Sequence, residues 1–583
     1  MFPGKVQTKE KTRSTSSFSR VFPLKNLWTG FGLLLTILFF VVPVFRLILL
    51  SLTVEGSISL SNYAEVLKEE QTWITVKNTL YIVIGSTLLS LILGIGMAWV
   101  IAYLNIRGKK WMQLFIFLPI IIPSYITTLA WVQYFSVNGP LAAVLPMLPG
   151  DWKLPNLYSM GGIIFILGLS HYPLVYLLTV EVFRKIPLEL EQAAQTCGAK
   201  RGVIIRKVIL PLALPGICSG GMLAFLSNLD NFGIPAFLGI PANIRVLSTY
   251  IYEEVVGIGP AAFARASVLS VLLGAIALIG LSIQWLLLRR SRVIETVKRN
   301  IEPRIYLSPM RKRLIEMAIW AFLLFTSFVP FFSMGMTSLL KAYGLPFQLE
   351  NLSLKNYRYI LFSDPKAISA ISNSMKLAML TTMVSLIVGT AIAYLRYKSP
   401  NRWTKLVELF VTIPYALPGT VFALSMIFSW MQPLPGWNPG IYSSIWILII
   451  AYITRFIVLQ VRGSYTALTQ VEPSIEEAAR TSGAKPWVKW RRILIPILLP
   501  GIIGGALLVF LTSLTELTVS SLLWSTGAET VGVVIFNYEQ AGYTTYSTAF
   551  SSLIVLGILL GSLLFIILDK VWRRKVLKLN DSA

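Results

Sequence analysis

The sequence predicts an all-α polytopic membrane protein with twelve transmembrane helices, arranged as two parallel six-helix repeats. Three observations support this fold class. Of 583 residues, 55% are hydrophobic and only 13% are charged, a balance typical of membrane proteins rather than soluble domains. The apolar runs are about 20 residues long, which is enough for a helix to cross a bilayer. A polar segment in the first half of the chain recurs in the second half, which indicates an internal duplication.

Twelve apolar runs are the candidate spans, six on each side of a basic segment. We therefore expect a basic tail, a first six-span half, a basic linker, a second six-span half and a final tail, at residues 1–26, 27–288, 289–313, 314–568 and 569–583. The candidate spans lie at residues 27–52, 78–104, 112–135, 160–182, 208–228, 263–288, 314–339, 374–395, 406–430, 443–461, 496–516 and 546–568.

The net charge of +25 is concentrated in short clusters between apolar runs, such as "NIRGKKW", "LRYKSPNRWTK" and "KVWRRKVLK". A continuous basic face, which would suit nucleic acid, is not evident from this pattern, so we expect no nucleic-acid partner. Basic clusters of this kind typically stay on the cytoplasmic side of a lipid bilayer. We therefore expect both termini and both copies of the polar segment to be cytoplasmic.

The duplicated segment reads "EQAAQTCGAKRGVIIRKVILPLALPG" from Glu191 and "EEAARTSGAKPWVKWRRILIPILLPG" from Glu476. An even number of predicted spans separates the copies, so the halves are parallel repeats; inverted repeats would place the copies on opposite sides of the membrane. The paired alanines followed by glycine predict a short helix, a turn and a second helix. Pro211 and Pro496 are expected to open the next span in each half.

The pattern Glu-Ala-Ala, three residues, Gly, and then Leu-Pro resembles the signature of the membrane subunits of ABC importers, and it occurs in both halves. Two positions depart from the signature, Gln192 in place of Glu and Ile495 in place of Leu. The resemblance implies a type I ABC importer fold in a bacterial inner membrane. It also implies that the short helix of the motif docks on a separate ATPase subunit. It assigns ATPase coupling to Glu191, Gln192, Ala193, Ala194, Gly198, Glu476, Glu477, Ala478, Ala479 and Gly483.

The same resemblance implies the partners, which are two ABC ATPase subunits and an extracytoplasmic substrate-binding protein. The chain lacks a phosphate-binding loop of the form GxxxxGK[ST], so ATP and Mg²⁺ are expected on the ATPase subunits. We therefore expect a permease without its own enzymatic site or cofactor. The rival class is a secondary transporter or a channel, which would need no ATPase partner.

The cargo is predicted from the span that follows each polar segment. Polar groups near its outer end are candidates for a substrate pathway, although the same groups are equally compatible with simple helix ends. The stretch "LDNFGIPAFLG" and the fusion of two halves are similar to ferric-iron importer permeases, with thiamine permeases as the alternative. Two cysteines without close spacing offer no fixed metal site. The candidate pathway residues are Asn228, Asp230, Asn231 and Glu516.

Overall fold

The computed structural model describes residues 32–289 except 55, 148, 150, 152, 258 and 260, together with residues 302–431 and 440–581. Ten helices in this part of the chain are long and apolar enough to cross a membrane. Two further pairs of helices meet the same criterion jointly but are bent, so the number of spans reaches twelve when each pair counts as one. The predicted all-α fold with up to twelve spans is confirmed.

The elements of the two halves follow each other in the same order. The first half contains α1 (Gly32–Ser51), α2 (Glu70–Tyr103), α3 (Lys109–Ile121), α4 (Ser124–Tyr134), α5 (Met160–Lys185), α6 (Leu188–Thr196), α7 (Arg201–Asp230) and α8 (Ala262–Leu288). The second half contains α9 (Pro309–Ser338), α10 (Pro365–Lys398), α11 (Arg402–Ala416), α12 (Gly419–Trp430), α13 (Ile445–Thr469), α14 (Pro473–Thr481), α15 (Trp487–Leu514) and α16 (Thr544–Asp581).

Shorter elements connect these helices. The strands Thr53–Val54 and Ser57–Ile58 form an antiparallel hairpin. The short helices are Ser61–Lys68, Pro140–Val144, Gly233–Leu238, Leu247–Val256, Lys355–Arg358, Ser520–Leu523 and Val531–Gln540. Residues 1–31 and 290–301, which contain the predicted N-terminal tail and nearly half of the predicted linker, lie outside the described residues. The domain boundaries stay predictions.

The third predicted span of each half, at residues 112–135 and 406–430, is not one straight helix as expected. The chain bends by 103° between α3 and α4 and by 110° between α11 and α12. Proline causes both bends, because its ring disfavours a helical backbone in the preceding residue. Ile122 before Pro123 and Leu417 before Pro418 are accordingly extended, with ψ of 132° and 145°.

Three helices form the centre of each half, α2, α5 and α7 in the first and α10, α13 and α15 in the second. Glycines allow these helices to pack closely. A Cβ atom on Gly94 would lie 2.5 Å from the Cβ of Val175, and one on Gly501 would lie 2.5 Å from the Cβ of Ala467. Small residues at such crossings are typical of helix packing in membranes, where close van der Waals contact replaces the hydrophobic effect between helices.

The first helix of each half packs against the other half. Helix α1 contacts α12 of the second half, and the C-terminal part of α9 contacts α4 of the first half. Arg46 of α1 strengthens the first of these contacts, since its Nη1 donates to the carbonyl of Ser429 near the end of α12 (3.0 Å). The two halves are therefore interlocked by exchanged helices rather than joined only along one face.

Candidate functional site

Helices α6 and α14 are the structural counterparts of the duplicated polar segment. Each follows a central helix, α5 or α13, and each ends at a glycine with a left-handed backbone, with φ of 80° at Gly198 and 73° at Gly483. The N–H of Ala199 donates to the carbonyl of Ala194 (3.0 Å), and the second copy repeats this bond with the same length. Glycine is the usual residue in this helix-ending turn because it lacks the Cβ that disfavours positive φ.

The two helices present matching exposed surfaces, which we call the coupling surfaces. Positions that align in the two copies are exposed in both. Gln192, for example, is exposed like its counterpart Glu477, although the side chains differ. The second alanine of each pair faces the protein, with Ala194 half-buried and Ala479 buried. The first coupling surface consists of Gln192, Ala193 and Gly198, and the second of Glu477, Ala478 and Gly483.

Glu191 differs from the other residues predicted to couple to an ATPase, because its carboxylate is buried. Its Oε1 accepts hydrogen bonds from Arg304 and from the hydroxyl of Tyr103, the latter at 3.2 Å. The side chain therefore attaches α6 to its own chain and is not part of the exposed surface, and the assignment of Glu191 to ATPase coupling stays a prediction. The side chain of Glu476, its counterpart in α14, lies outside the described residues.

The expected short second helix and separate span form one continuous helix in the structure. Helix α7 runs from Arg201 to Asp230 and contains a wide helical turn at Ile205–Ile209, directly before Pro211. Proline has no backbone N–H, so it removes one regular hydrogen bond inside a helix. The π-type turn before it is a wide turn, with i→i+5 hydrogen bonds, within the same helix. Pro211 lies in the first turn of the regular α-helix Leu210–Asp230, and its place at the start of the span stays a prediction. Because no loop separates α7 from the turn after α6, α7 connects the first coupling surface directly to Asp230, its C-terminal residue.

Asp230, the last residue of α7, forms a junction with the second half. Its Oδ2 accepts from Nη2 of Arg455 in α13 (2.8 Å), and its Oδ1 accepts from the backbone N–H of Gly419, the first residue of α12. Arg455 is only 4% exposed and also donates to the carbonyl of Leu417 (3.2 Å), in the bend before α12. Asp230, Gly419 and Arg455, which we name the junction, thus connect a core helix of one half to a bend in the other.

Arg455 was missed by the sequence prediction, although the sequence contains a signal for it. It lies in the strongly apolar run "IWILIIAYITRFIVLQV". A charge within a membrane-spanning segment is costly and is usually retained for a partner or a pathway. Arg304 offers no such signal, because it lies among many basic residues of the predicted linker.

Glu516 and Asn231 bind both distant side chains and nearby backbone: Tyr452 donates to Glu516 (3.3 Å), and Nδ2 of Asn231 donates to the hydroxyl of Ser124 (3.0 Å). Glu516 accepts from the backbone N–H groups of Val519 (2.7 Å) and Ser520 (2.9 Å), which caps the short helix Ser520–Leu523. Asn231 caps the equivalent helix of the first half, since its Oδ1 accepts from the N–H of Ile234 (2.9 Å). These contacts favour the helix-end alternative for both residues.

Asn228 lies in a buried network inside the first half. Its Oδ1 is 2.7 Å from Nδ1 of His171, and its Nδ2 donates to the hydroxyl of Thr87 (3.1 Å). Within the described part of the chain, no group of three His, Cys, Asp or Glu side chains is placed to hold a metal ion. Asp230 and Glu516 are both occupied by protein donors, so neither is free to coordinate a cation in this conformation.

Comparison with known proteins gives the family. The sequence profile described as "Binding-protein-dependent transport system inner membrane component" matches residues 90–293 and 385–578, which together exceed half of the chain. A probable ABC transporter permease of Sinorhizobium fredii is 24% identical over 89% of this chain and 93% of its own length. A putative ferric transport system permease of Haemophilus influenzae is 22% identical over 85% of this chain and 77% of its own.

A third relative carries a different cargo name. The sulfate transport system permease of Salmonella typhimurium is 28% identical over 43% of this chain and 90% of its own length, so it corresponds to about one half. The matched profile covers each half once, and each match includes one copy of the duplicated segment. The chain therefore belongs to the family of binding-protein-dependent transport system inner membrane components, the permeases of ABC importers, and contains the family's domain twice.

Proposed function

We propose that this chain is the membrane permease of an ATP-driven importer of ferric iron, which an extracytoplasmic binding protein delivers. The observation that carries the importer mechanism is the pair of coupling surfaces, in which two glycine-ended helices offer the same exposed positions. Two ATPase subunits, with ATP and Mg²⁺ bound to them, would each dock on one surface. This arrangement requires both surfaces, and both termini, to be cytoplasmic, as the distribution of basic residues predicts.

The connection from the coupling surfaces to the junction suggests how ATP drives transport. A push on α6 passes through a short turn into α7, which ends at Asp230; a push on α14 passes into α15 in the same way. Asp230 contacts Arg455 and the bend at Gly419, so displacement of α7 changes the contacts between the halves. ATP binding then shifts the population between inward- and outward-open states by favouring the contacts of one state.

The iron assignment depends on the similarity to the ferric permease and on the ligand preference of Fe³⁺, a hard cation that binds oxygen donors. Asp230 is the partly exposed carboxylate of the junction, with 38% of its side chain accessible. We infer that it becomes available to a passing cation when the halves separate and Arg455 is withdrawn. Thiamine, the alternative from the sequence, gains no further support from the structure.

An oxyanion is the second candidate cargo. The similarity to a sulfate permease favours it, and so does Arg455, whose guanidinium is a bidentate donor suited to oxyanions. An oxyanion would bind Arg455 if opening of the junction withdrew Asp230 from it, whereas a cation would bind Asp230 if opening withdrew Arg455. The cargo must therefore be tested directly.

The test uses the intact complex purified from native membranes with its ATPases and binding protein, and reconstituted into liposomes. Uptake of radiolabelled ferric iron, sulfate and thiamine is measured with and without ATP. We expect ATP-dependent uptake of ferric iron only when the binding protein is present. Uptake of sulfate in its place would replace the iron assignment and keep the importer, whereas uptake that persists without ATP would favour a secondary transporter or a channel.

A further inference from the structure

A single arginine joins the first coupling helix to three other elements of the chain. The side chain of Arg304 is 4% exposed and that of Glu191 is 10% exposed. Nη1 of Arg304 donates to Oε1 of Glu191 and lies 3.3 Å from the hydroxyl of Tyr103, which itself donates to Glu191. The guanidinium also lies over the Tyr103 ring, 5.0 Å from its centroid. The Glu191 carboxylate thus accepts hydrogen bonds from both Arg304 and Tyr103 in a buried site, and these bonds fix its orientation.

The second nitrogen of the same guanidinium binds the end of α5. Nη2 of Arg304 donates to the carbonyls of Ile186 and Phe183, the latter at 3.5 Å. These carbonyls lie at the C-terminal end of α5. The last carbonyls of a helix have no N–H partner within the helix, and the helix dipole places a partial negative charge there. Arg304 therefore caps α5 while it binds Glu191 in the first turn of α6, and so fixes the angle between the two helices.

The backbone around Arg304 is attached to the end of α2. The N–H groups of Arg304 and Ile305 both donate to the carbonyl of Tyr103 at 2.9 Å. The bonding continues as Asn105 N–H donates to the carbonyl of Ile305 (3.2 Å) and Leu307 N–H donates to Oδ1 of Asn105 (3.0 Å). Helix α9, the first helix of the second half, begins directly after this segment, at Pro309.

We propose that Arg304 is a positioning residue for ATPase coupling, because it fastens α6 to α2, α5 and the start of α9. Without Arg304, α6 keeps the hydrogen bond from Tyr103 to Glu191 and the packing of Ala194 against the core, but it loses its ion pair and its link to the end of α5. With it, a push on the first coupling surface moves α2, α5 and α9 together, and α9 carries the displacement to the second half through its packing against α16. The role in coupling rests on the proposed function; the attachment itself does not.

The chain supplies its own probe of the attachment. Cys197 is exposed in the turn directly after α6, and Cys218 is the second cysteine. A spin label on Cys197, in a Cys218→Ser background, reports the mobility of α6 in the purified full-length chain without ATPase or cargo. Ser482 is the equivalent exposed position after α14, so a label on Ser482→Cys reports the other coupling helix as a matched control.

Two variants test the attachment. Arg304→Gln removes the cation, and Glu191→Gln removes the charge of its partner but keeps an acceptor, which protects the fold if the first variant is unstable. We expect both variants to increase the mobility of the label at position 197 and to leave the label at 482 unchanged. Unchanged mobility at 197 in a folded variant, or an equal increase at both positions, would overturn the proposed attachment.

The effect on coupling is measured in the reconstituted complex as cargo transported per ATP hydrolysed. We expect this ratio to fall about tenfold in Arg304→Gln and Glu191→Gln, within the usual range of coupling between sites. Arg304→Lys restores the charge but lacks the planar fork that reaches Glu191 and the α5 carbonyls together, so its ratio should be intermediate. Controls are Glu189→Gln and Arg311→Gln, which change exposed charges of α6 and α9 and should leave the ratio as in the unmodified protein.

The two readouts separate the two claims. A mobile label with an unchanged transport ratio would overturn the positioning role while the attachment stands. Should the complex prove independent of ATP, the proposed importer function would fail, and the label at Cys197 would still decide whether Arg304 fixes α6.

Discussion

Arg455 and Asp230 form a salt bridge of 2.8 Å between the two halves of the chain. The two residues differ in environment, since the side chain of Arg455 is 5% exposed and that of Asp230 is 38% exposed. The arginine donates further to carbonyls in the bend before α12, so its charge is compensated by backbone and by one carboxylate. This pair is therefore the contact whose loss should most directly affect how the halves hold together.

Removing either partner should destabilise the protein. Asp230→Asn leaves the buried cation of Arg455 without its counter-charge, which we expect to cost on the order of 3 kcal/mol. Arg455→Gln should cost less, because the remaining Asp230 is partly accessible to water and keeps the N–H of Gly419. The double variant should lose less than the sum of the single losses, as measured by thermal unfolding in detergent.

A salt bridge inside one half provides the control. Arg396 and Glu408 are 2.7 Å apart and their side chains are 17% and 40% exposed, so the acid resembles Asp230 in accessibility. Because both partners reach water, breaking this pair should cost about 1 kcal/mol or less. Equal losses at the two pairs would show that contact between the halves has no special weight.

The glycines that end the coupling helices should be sensitive for backbone reasons. A Cβ on Gly198 or Gly483 meets no atom of the chain within 4 Å, so a larger residue is not excluded by space. Their positive φ should instead cost alanine about 1–2 kcal/mol per site, which loosens the turn after α6 or α14. Asparagine tolerates this conformation better than alanine.

The comparison of Ala with Asn separates backbone strain from contact with the ATPase. We expect Gly198→Ala to reduce ATP-driven transport several-fold without loss of folded protein. Gly198→Asn should retain transport if strain alone matters, and should lose it if the ATPase packs against the bare glycine. Gly202→Ala is the control, because Gly202 is exposed and has no atom within 4 Å of an added Cβ. A drop in transport equal to that of Gly198→Ala in this control would contradict the role assigned to the turn.

Two neighbouring glycines of α15 test the packing of the second half. An alanine at Gly501 would place its Cβ 2.5 Å from the Cβ of Ala467, whereas an alanine at Gly504 meets nothing within 4 Å. Gly501→Ala should therefore destabilise the chain by about 1–3 kcal/mol, the usual cost of overpacking. Gly504→Ala should leave stability unchanged or slightly raised, since alanine is the better helix former. Similar unfolding temperatures for the two variants would contradict the close crossing of α13 and α15.

The positions of most spans and of both coupling helices follow from the sequence, because a membrane imposes long apolar helices and the duplication repeats their order. The bends between α3 and α4 and between α11 and α12 did not follow from hydropathy, which is continuous across them. Their cause is nevertheless local: Pro123 and Pro418 lie inside the repeated motifs "LFIFLPIIIP" and "LFVTIPYALP", and proline restricts the residue before it.

The contacts of Glu191 and Asp230 could not be predicted in this way. Their partners, Arg304 and Arg455, are more than 100 residues away in the chain, and no local pattern connects them. Glu191 was predicted from its place in the motif and proves to be an internal anchor. Asp230 was predicted as a pathway residue from its expected depth in the membrane. The structure shows that its carboxylate forms a salt bridge with the side chain of Arg455.

Glu539 predicts a dependence of stability on pH. It lies in the short helix Val531–Gln540, outside the membrane-spanning segments, and accepts a hydrogen bond from the hydroxyl of Thr544 (3.3 Å) and one from Ser547. Burial raises the pKa of this carboxyl above its ordinary value, against the opposing effect of these two bonds. An acid with a raised pKa in the folded state binds its proton more tightly there than in the unfolded state. Its stabilising contribution is therefore complete at pH below the unfolded pKa, and is lost as the pH rises through the folded pKa.

Replacing the carboxyl with an amide should remove this dependence. Glu539→Gln keeps an acceptor for Thr544 and Ser547 but carries no charge to bury. The variant should unfold at a higher temperature than the unmodified protein at about pH 8, and the difference should be smaller at about pH 5, because protonation of the carboxyl becomes more favourable as the pH falls. Glu350→Gln removes an exposed carboxylate and should show no such change between the two conditions. A constant difference for Glu539→Gln at both pH values would mean that burial of the charge does not set the stability of the segment around Val531–Gln540.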